Sequence, residues 1–526
     1  MRVWWCLLVV AAIGCGGDDG GGDGDALVIE TEGGRVEGTI VDGVRRFLAI
    51  PYAAPPTGAN RWRAPQPVEP WTDVRLGIEL GSQCPQSLSL AGTSEEEDCL
   101  FVNVWTPSGA RGDLPVMVWL HGGAFILGSG GDRYYDGAQL ATQDVVVVTL
   151  NYRLGMFGFL AHPALRGDDP AFPTSGNYGI EDQRAALAWV QRNIARFGGD
   201  PKRVTLFGES AGGMSTCIHY ASSRSDGLFE AAISQSGLCT SPLLELPRAT
   251  AEAQGLDLAA DLGCPGADAS TIACLRALPA SAILGATPLP ASTDPPGGPI
   301  YQAAILPGSL PSVDGLVIER PMHETFTSGA FTPRPLILGN TKDEGTLFHS
   351  LLFAQEVPDE AAYRAALANR FSAADVDAIV AAYPIATYGS ANRAIAEVTG
   401  DALFMCPSRR MARALRARDV PLHHYSFDRA LEAPFTAGLG VFHSSELPFV
   451  FGNDTYPLGR IGTAVELSTT MQAMWIAFAK TGDPNVEGAP AWPAYGADAT
   501  TLVFDTTIST TTELKADRCA FWDARL

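Results

Sequence analysis

The sequence has little positive charge for its length. Its 526 residues include 36 lysines and arginines against 58 aspartates and glutamates, which gives a formal net charge of −22. Such a chain repels phosphate backbones and anionic membrane surfaces. The composition therefore argues against nucleic-acid partners, whereas its 46% hydrophobic residues can fill a large core.

The sequence also lacks an internal repeat, a heptad pattern and, at its N-terminus, a hydrophobic run long enough to span a bilayer. The run from Val3 to Ile13 follows Arg2 and ends before small residues, which is the layout of a signal peptide over residues 1–14. The residues 12–15, Ala-Ile-Gly-Cys, resemble a bacterial lipobox, which predicts lipidation of Cys15. Ordinary cleavage near Gly14 is the alternative.

Residues 15–25 contain Gly and Asp almost exclusively and have nothing that can pack, so they predict a flexible tether. In comparable lipoproteins, a residue other than Asp after the lipidated cysteine favours the outer membrane, and Gly16 stands there. We therefore expect an exported lipoprotein of the bacterial cell envelope, held at the outer membrane only by its lipid anchor.

An exported protein folds in an oxidising compartment, where cysteines form disulfides. Eight cysteines remain beyond Cys6 and Cys15, and an even number permits full pairing. Position along the chain suggests four pairs but does not fix them: Cys84 with Cys99, Cys264 with Cys274, Cys406 with Cys519, and Cys217 with Cys239. For the last pair, the alternative is a buried free thiol at Cys217.

Buried runs rich in β-branched residues alternate with amphipathic helices along the chain. The runs 114–120 and 144–150 read as buried strands, and the stretch 179–197 places Leu187, Val190 and Ile194 on one helical stripe. This order predicts the α/β class, with a large, mostly parallel sheet covered by helices on both faces. We expect one domain over residues 26–526, with a lid region at about 287–420.

The segment VTLFGESAGG, residues 204–213, places Ser210 between a buried strand and a helix. Gly208 and Gly212 would allow that strand and helix to pack closely, and the helix N-terminus favours developing negative charge near the hydroxyl. A phosphate-binding loop would need a lysine after the glycines, and none is there. The segment therefore predicts an exposed nucleophilic serine rather than an incidental glycine-rich turn.

A nucleophilic serine needs a base, and in this kind of turn the expected chain order is serine, acid, histidine. His443 lies in a loop rich in Gly and Ser that could hold its ring over a pocket. His423 and His424 lie in a strand, where one should face the core and the other the surface. His349 comes too soon after the candidate acids and should pack locally.

The candidate acids follow the buried run that ends at Leu338. Asp343 and Glu344 both lie just past the end of this predicted strand. Either carboxylate could orient the imidazole on spacing alone.

Seven stretches of the sequence are specific enough to indicate a family: GESAG at 208–212, HGGAF at 121–125, NYRLGMFGFL at 151–160, GNYGIEDQRAALAWVQRNIARFGGDP at 176–201, KDEG at 342–345, ELPFVFG at 446–452 and MWIAFAKTGDPN at 474–485. They resemble the type B carboxylesterase and cholinesterase family, and the resemblance runs from about Leu27 to the end. It implies an α/β-hydrolase fold and a serine carboxylesterase that forms an acyl-enzyme, closest in character to bacterial p-nitrobenzyl-esterase-like carboxylesterases.

The resemblance also implies roles for individual residues. It makes Glu344 the acid and His443 the base for Ser210, and it implies three disulfides among the pairs above, the Cys217 and Cys239 pair being less general in the family. It further implies amide donors to an oxyanion at Gly123, Ala124 and Ala211, a supporting hydroxyl at Ser236, and acidic positions near the site at Glu209 and Glu446.

The substrate expected from this resemblance is a small carboxylic ester, and the reaction needs neither a metal nor an organic cofactor. Cholinesterases carry a tryptophan for the quaternary ammonium inside the first disulfide loop. The segment from Cys84 to Cys99 contains none, so choline esters are disfavoured. The alternatives are a catalytically silent binding module of the same family, or a serine hydrolase that acts on amides, thioesters or lactones.

Overall fold

A twisted sheet of 11 strands organises the molecule. The computed structural model describes residues 26–87, 92–110, 112–241, 246–286, 308–349, 357–368, 371–434 and 436–525. The predicted signal peptide, the tether with Cys15, and residues 287–307 of the predicted lid region lie outside these ranges. Seven neighbouring strands in the middle of the sheet run parallel, and antiparallel strands complete both of its edges.

The strand order in the main sheet is β16-β15-β14-β13-β10-β9-β7-β8-β6-β4-β3, and two small sheets contain the other strands. The strands are β1 Val28–Thr31, β2 Gly34–Glu37, β3 Thr39–Val41, β4 Val44–Pro51, β5 Arg75–Leu76, β6 Phe101–Pro107, β7 Leu114–Leu120, β8 Val146–Leu150, β9 Gly199–Glu209, β10 Ala231–Gln235, β11 Leu246–Pro247, β12 Ser312–Val313, β13 Leu336–Thr341, β14 Leu422–Phe427, β15 Thr501–Phe504 and β16 Ser509–Thr511.

Helices cover both faces of the sheet. They are α1 Ala138–Ala141, α2 Gly155–Phe159, α3 Tyr178–Asn193, α4 Ala211–Ala221, α5 Arg248–Asp261, α6 Ala269–Ala277, α7 Ala280–Ala286, α8 Met322–Ser328, α9 Gly345–Leu347, α10 Glu360–Ala368, α11 Ala373–Ala382, α12 Ile385–Tyr388, α13 Ala391–Thr399, α14 Cys406–Arg416, α15 Leu447–Phe451, α16 Val465–Thr481 and α17 Ala516–Asp523. Six short 3-10 helices and a π-helical segment, Gly400–Met405, complete the described elements.

Alternate residues of the central strands pack into two separate apolar cores. In β7, Val116 and Val118 belong to one core, whereas Met117 and Trp119 belong to the other. This follows from the two-residue period of a strand whose faces are both covered by helices. It also explains why these strands read as continuous hydrophobic runs in the sequence.

The expectation that one of His423 and His424 faces the surface is wrong. Both are buried, with exposed fractions of 7% and 0%. Their strand, β14, is an interior strand between β13 and β15, so side chains on both of its faces are covered.

Four disulfides join Cys84 with Cys99, Cys217 with Cys239, Cys264 with Cys274, and Cys406 with Cys519. These are the four pairs that the sequence predicts. Bonds of this kind are characteristic of exported proteins. Within the described ranges no single helix is long and apolar enough to cross a membrane, although α6 and α7, bent by 107° at their junction, meet that test as a pair.

Candidate active site

Ser210 lies at the carboxyl end of β9, in the middle of the parallel part of the sheet. Its backbone has φ 57° and ψ −120°, a conformation that a non-glycine residue rarely adopts, and its amide donates to the carbonyl of Gln235 at 2.9 Å. The residue is half-buried, while Glu209 before it and Ala211 after it are buried. The strained turn therefore presents this hydroxyl beyond the sheet edge.

Glycines make this turn possible because strand and helix approach too closely for side chains. A Cβ on Gly212 would lie 1.9 Å from the carbonyl oxygen of Leu120, and one on Gly208 would lie 2.5 Å from the backbone of Gly212. Both contacts are with main-chain atoms, which cannot move aside. The glycines that the sequence places around Ser210 are thus required by packing.

The turn 121–125 packs directly against Ser210. A Cβ on Gly122 would lie 3.2 Å from the Cβ of Ser210, and Gly123 and Ala124 have φ values of 110° and 53°. Both are half-buried, and within the described part of the chain no acceptor pairs with their amides. Ala211 is the first residue of α4, so its amide has no intrahelical acceptor either.

Glu344 follows the end of β13 and is only 2% exposed. Its Oε1 accepts from the Ser236 hydroxyl at 2.6 Å, from the Thr341 amide at 2.9 Å and from the Asn340 amide group at 3.2 Å. Its Oε2 lies 2.6 Å from Nδ1 of His443. One oxygen is therefore held by the scaffold while the other is directed at the imidazole.

Asp343, which spacing left as an equal candidate, takes a different position. Its carboxylate pairs with Arg393 and accepts from the Val441 amide at 2.8 Å, and its own amide donates to the carbonyl of Val441 at 2.9 Å. Asp343 thus fastens the loop that carries His443 to the end of β13.

His443 is 4% exposed and lies between carboxylates. Its Nδ1 contacts Glu344, and its Nε2 lies 3.1 Å from Oε1 of Glu209 without hydrogen-bond geometry. The Nε2 has no hydrogen-bond partner among the described residues, and Glu209 immediately precedes Ser210. The free nitrogen of the ring is therefore directed at the turn that carries the serine.

His349, His423 and His424 lie elsewhere. The contact of His349 is not the local one expected from its spacing: its Nε2 lies 2.9 Å from the hydroxyl of Thr399, 50 residues away in the chain, and burial lowers its pKa to about 4. His424 contacts the Thr501 hydroxyl at 3.0 Å, and burial lowers its pKa to about 3. The imidazoles of His423 and His424 belong to the core, and that of His349 is half-buried.

The buried acids and the histidine determine each other's ionisation. Burial lowers the pKa of His443, but the carboxylates of Glu209 and Glu344 outweigh burial and raise it to about 9. Burial raises the pKa of Glu209 to about 8 and that of Glu446 to about 7. Burial also acts on Glu344, but His443 and the donors from Ser236 and Thr341 outweigh it and hold this pKa below its ordinary value.

The site contains further residues that neither spacing nor resemblance singled out. The rings of Phe348 and Phe404 lie 5.1 and 4.9 Å from the His443 ring, centroid to centroid. Gln235 donates to Glu446 at 3.1 Å and accepts from the Trp475 indole at 3.1 Å. Gln235 directly precedes Ser236, which is the only sequence signal that could have indicated it.

Comparisons with known proteins show the family of this chain. The model of the carboxylesterase family matches residues 25–522. The chain is 39% identical to the para-nitrobenzyl esterase of Bacillus subtilis (strain 168), over 92% of this chain and 95% of that protein. It is 37% identical to the fumonisin B1 esterase of Sphingopyxis macrogoltabida, over 90% of this chain and 85% of that protein.

A solved structure of a PNB esterase superposes with a TM-score of 0.80 at 36% sequence identity, and the match covers 94% of this chain and 99% of that one. The fold is therefore that of the α/β-hydrolases, as the order of elements and the resemblance predicted. The chain belongs to the carboxylesterase family and is a carboxylic ester hydrolase.

Proposed function

We propose that Ser210 is the nucleophile of this serine carboxylesterase, that His443 is its general base, and that Glu344 orients and stabilises the imidazole. The observation that carries this assignment is the position of His443. Glu344 binds its Nδ1 at 2.6 Å, and its Nε2 has no hydrogen-bond partner among the described residues and lies 3.1 Å from Glu209, the neighbour of Ser210. An imidazole held at one nitrogen by a buried acid, with its other nitrogen at the turn of the serine, suits a general base.

The reaction proceeds by two acyl transfers. The Ser210 hydroxyl gives its proton to Nε2 of His443 as its oxygen attacks the ester carbonyl, and the imidazolium then protonates the leaving alcohol. Water repeats the sequence on the acyl-enzyme and releases the acid and the free serine. Glu344 stabilises the imidazolium in both steps, because a buried carboxylate at 2.6 Å favours the charged ring.

The oxyanion of each tetrahedral intermediate accepts from the amides of Gly123, Ala124 and Ala211. Support comes from the unpaired, half-buried amides of the turn 121–125 and from the position of Ala211 at the start of α4. Loss of one such donor typically raises the barrier by about 3 kcal/mol. Alanine at 124 suits the role because the main chain supplies the donor.

Ser236 assists by positioning Glu344. Its hydroxyl donates to Oε1 at 2.6 Å and is fully buried, so it fixes the carboxylate without competing for the oxygen that faces His443. Glu209 and Glu446 contribute through protons that they share with His443. Because burial raises the pKa of both, they retain protons near neutral pH that an exposed glutamate would lose.

The substrate that suits this site is an uncharged ester. Phe348, Phe404, Leu403 and Leu238 form an apolar cluster beside His443, and three buried carboxyl groups surround the ring. An anionic acyl group would meet an apolar wall beside the carboxylate of Glu344, whose pKa is held below its ordinary value. Three of these four residues belong to the predicted lid region at about 287–420. That region also contains β13, which is a strand of the main sheet.

The test of the assignment is hydrolysis of a series of p-nitrophenyl esters by the wild type and by Ser210→Ala. We expect turnover by the wild type and a loss of about 10⁵-fold or more in the variant, because the covalent step disappears. The mass of the wild-type protein, quenched during turnover, should rise by one acyl group. A variant that retains more than a hundredth of the activity would contradict the role of Ser210.

The mature protein is a cell-envelope lipoprotein, held at the outer membrane through acyl chains on Cys15. Support comes from the short hydrophobic run before a lipobox-like sequence, from the tether 16–25, and from the four disulfides. Fractionation of cells that express the full chain tests this. Wild type should follow the outer-membrane fraction and Cys15→Ser should not, and equal distribution of the two would exclude the anchor.

A further inference from the structure

The short turn that follows β10, residues 236–239, lies between Ser210 and Glu344. The carbonyl of Gln235, at its start, accepts from the Ser210 amide at 2.9 Å. The Ser236 hydroxyl donates to Glu344, and the Ser236 amide donates to the carbonyl of Gly339 in β13 at 2.8 Å. The turn therefore links Ser210 to β13, the strand that precedes Glu344.

This turn has a conformation that its own residues do not favour. Ser236 and Leu238 have φ values of 52° and 46°, in the left-handed region that non-glycine residues avoid. Both are buried, and Leu238 packs in the apolar cluster with Leu403 and Phe404. Strained backbone of this kind persists only where surrounding structure holds it in place.

The close approach to α4 restricts the turn from one side. A Cβ on Gly213 would lie 2.9 Å from Cα of Gly237, and one on Gly237 would lie 2.7 Å from the backbone of Gly213. Contact between two main chains prevents them from moving closer, but it does not hold them together. A separate restraint is needed to keep the turn against the helix.

The disulfide between Cys217 and Cys239 is placed to supply that restraint. Cys217 lies on α4, the helix that begins directly after Ser210, and Cys239 ends the turn. Both cysteines are buried, and the Ser234 hydroxyl lies 3.4 and 3.3 Å from their sulfurs while it donates to the carbonyl of Gly213 at 3.0 Å. The bond thus joins the helix of the serine to the turn that carries Ser236.

We infer that Cys217 and Cys239 are positioning residues for ester hydrolysis: their disulfide holds the strained turn so that Ser236 keeps Glu344 aligned with His443. The inference rests on the proposed function. It assigns this disulfide a catalytic effect in addition to the general restraint of the unfolded chain that any disulfide provides.

The test compares two disulfide deletions, Cys217→Ala with Cys239→Ala and, as the matched control, Cys264→Ala with Cys274→Ala. Both remove the bond from a short loop, so both should lower the thermal stability by comparable amounts. With a p-nitrophenyl ester, only the first should lower kcat, by about tenfold, while KM changes less than about twofold.

Adding Ser236→Ala to the deletion of Cys217 and Cys239 gives a triple variant that shows whether the effect on kcat passes through Ser236. If it does, the triple variant should be no slower than the slower of its two parents, the disulfide deletion and Ser236→Ala, because both parents lose the same alignment of Glu344. The pH profile of kcat/KM should shift to lower pH in both parents and not in the control pair. A less well aligned Glu344 raises the pKa of His443 by less.

Equal kcat loss in the two disulfide deletions, or a triple variant whose losses multiply, would overturn the inference. Should the first deletion fail to fold, Cys217→Ala with Cys239→Val keeps the site filled. If that variant also fails to fold, the bond serves the fold as a whole and the inference is wrong. A wild type without esterase activity would instead contradict the proposed function.

Discussion

Main-chain atoms position Ser210 and the turn 121–125, whereas side-chain hydrogen bonds position Glu344 and His443. We call the first the elbow half of the site and the second the imidazole half. In the elbow half, backbone atoms meet at distances that only glycine tolerates, as at Gly212. In the imidazole half, Glu344 has four hydrogen-bond contacts, and Asp343 fastens the loop of His443.

The elbow half should have a rigid geometry, whereas the imidazole half should respond to changes in ionisation. Main-chain contacts fix the elbow half, so its geometry should depend little on pH. The imidazole half contains buried carboxyl groups that share protons with a histidine, so its chemistry should depend on pH strongly. Substitutions of the packed glycines in the elbow half should therefore affect folding, and substitutions in the imidazole half should affect rate and pH dependence.

After Ser210→Ala, the largest expected effect is that of Glu344→Gln. The amide keeps the volume of the side chain but cannot stabilise the imidazolium, so kcat should fall by about 10³ to 10⁴-fold. Thermal unfolding should change little, because the Ser236 hydroxyl can still donate to the amide oxygen. The matched variant Asp343→Asn should lose less activity, since Asp343 contacts the loop and not the ring. An equal loss in both would contradict the distinction between the two acids.

Gly212→Ala tests the elbow half and should have the second largest effect. The new Cβ would lie 1.9 Å from the carbonyl oxygen of Leu120, so strand and helix must separate. Denaturant unfolding should report a loss of about 3 kcal/mol in the free energy of unfolding.

Gly285→Ala is the control for this change. Gly285 is exposed near the end of α7, and no described atom lies within 4 Å of the position that a Cβ would take there. Alanine at this position should therefore be neutral or stabilise the fold by up to about 1 kcal/mol. Similar free energies of unfolding for the two variants would show that the elbow half is not constrained as its contacts indicate.

Glu209→Gln links the two halves and should have the smallest effect on rate. Its carboxylate raises the pKa of His443, which burial alone would lower, so the variant should move the acid limb of the kcat/KM profile to lower pH by about one unit. The limb moves to lower pH because activity needs the neutral imidazole, and a lower pKa of His443 keeps the imidazole neutral at lower pH. The exposed Glu69→Gln serves as control, and an unmoved limb in Glu209→Gln would contradict the coupling.

The same variant should change the pH dependence of stability. Burial raises the pKa of Glu209 from 4.5 in the unfolded chain to about 8, so its contribution to stability is present below pH 4.5 and is lost as pH rises towards 8. Without this carboxyl group, the loss of unfolding free energy over that range should be smaller. An identical slope in wild type and variant would show that Glu209 ionises as an exposed group does.

Much of the fold followed from the sequence because its signals are local. The buried strands β7, β8 and β9 and the helix α3 were predicted from runs and stripes of apolar residues, and the stripe residues Leu187 and Val190 are fully buried. The exposure of His423 and His424 in β14 shows the limit of such signals. Alternation along a strand cannot reveal that a second layer covers its other face, so both side chains are buried.

The candidate site divides in the same way. Spacing indicated Ser210 because strand, turn and helix are adjacent in the chain, but it left Asp343 and Glu344 equivalent, and resemblance was needed to prefer one. Phe348 and Phe404 were not indicated, because nothing near them in the sequence shows that they lie beside His443.

By itself, the sequence determined the strand, the strained turn and the glycines around Ser210, because these depend on neighbouring residues and on the space between main chains. Only the tertiary structure decided which carboxylate contacts His443, how two other buried acids share protons with it, and which turn the disulfide between Cys217 and Cys239 restrains. Most of those features depend on distances and burial between segments far apart in the chain, such as Glu344 and His443, which are 99 residues apart. Hydrogen bonds and desolvation act only once the fold has brought such segments together.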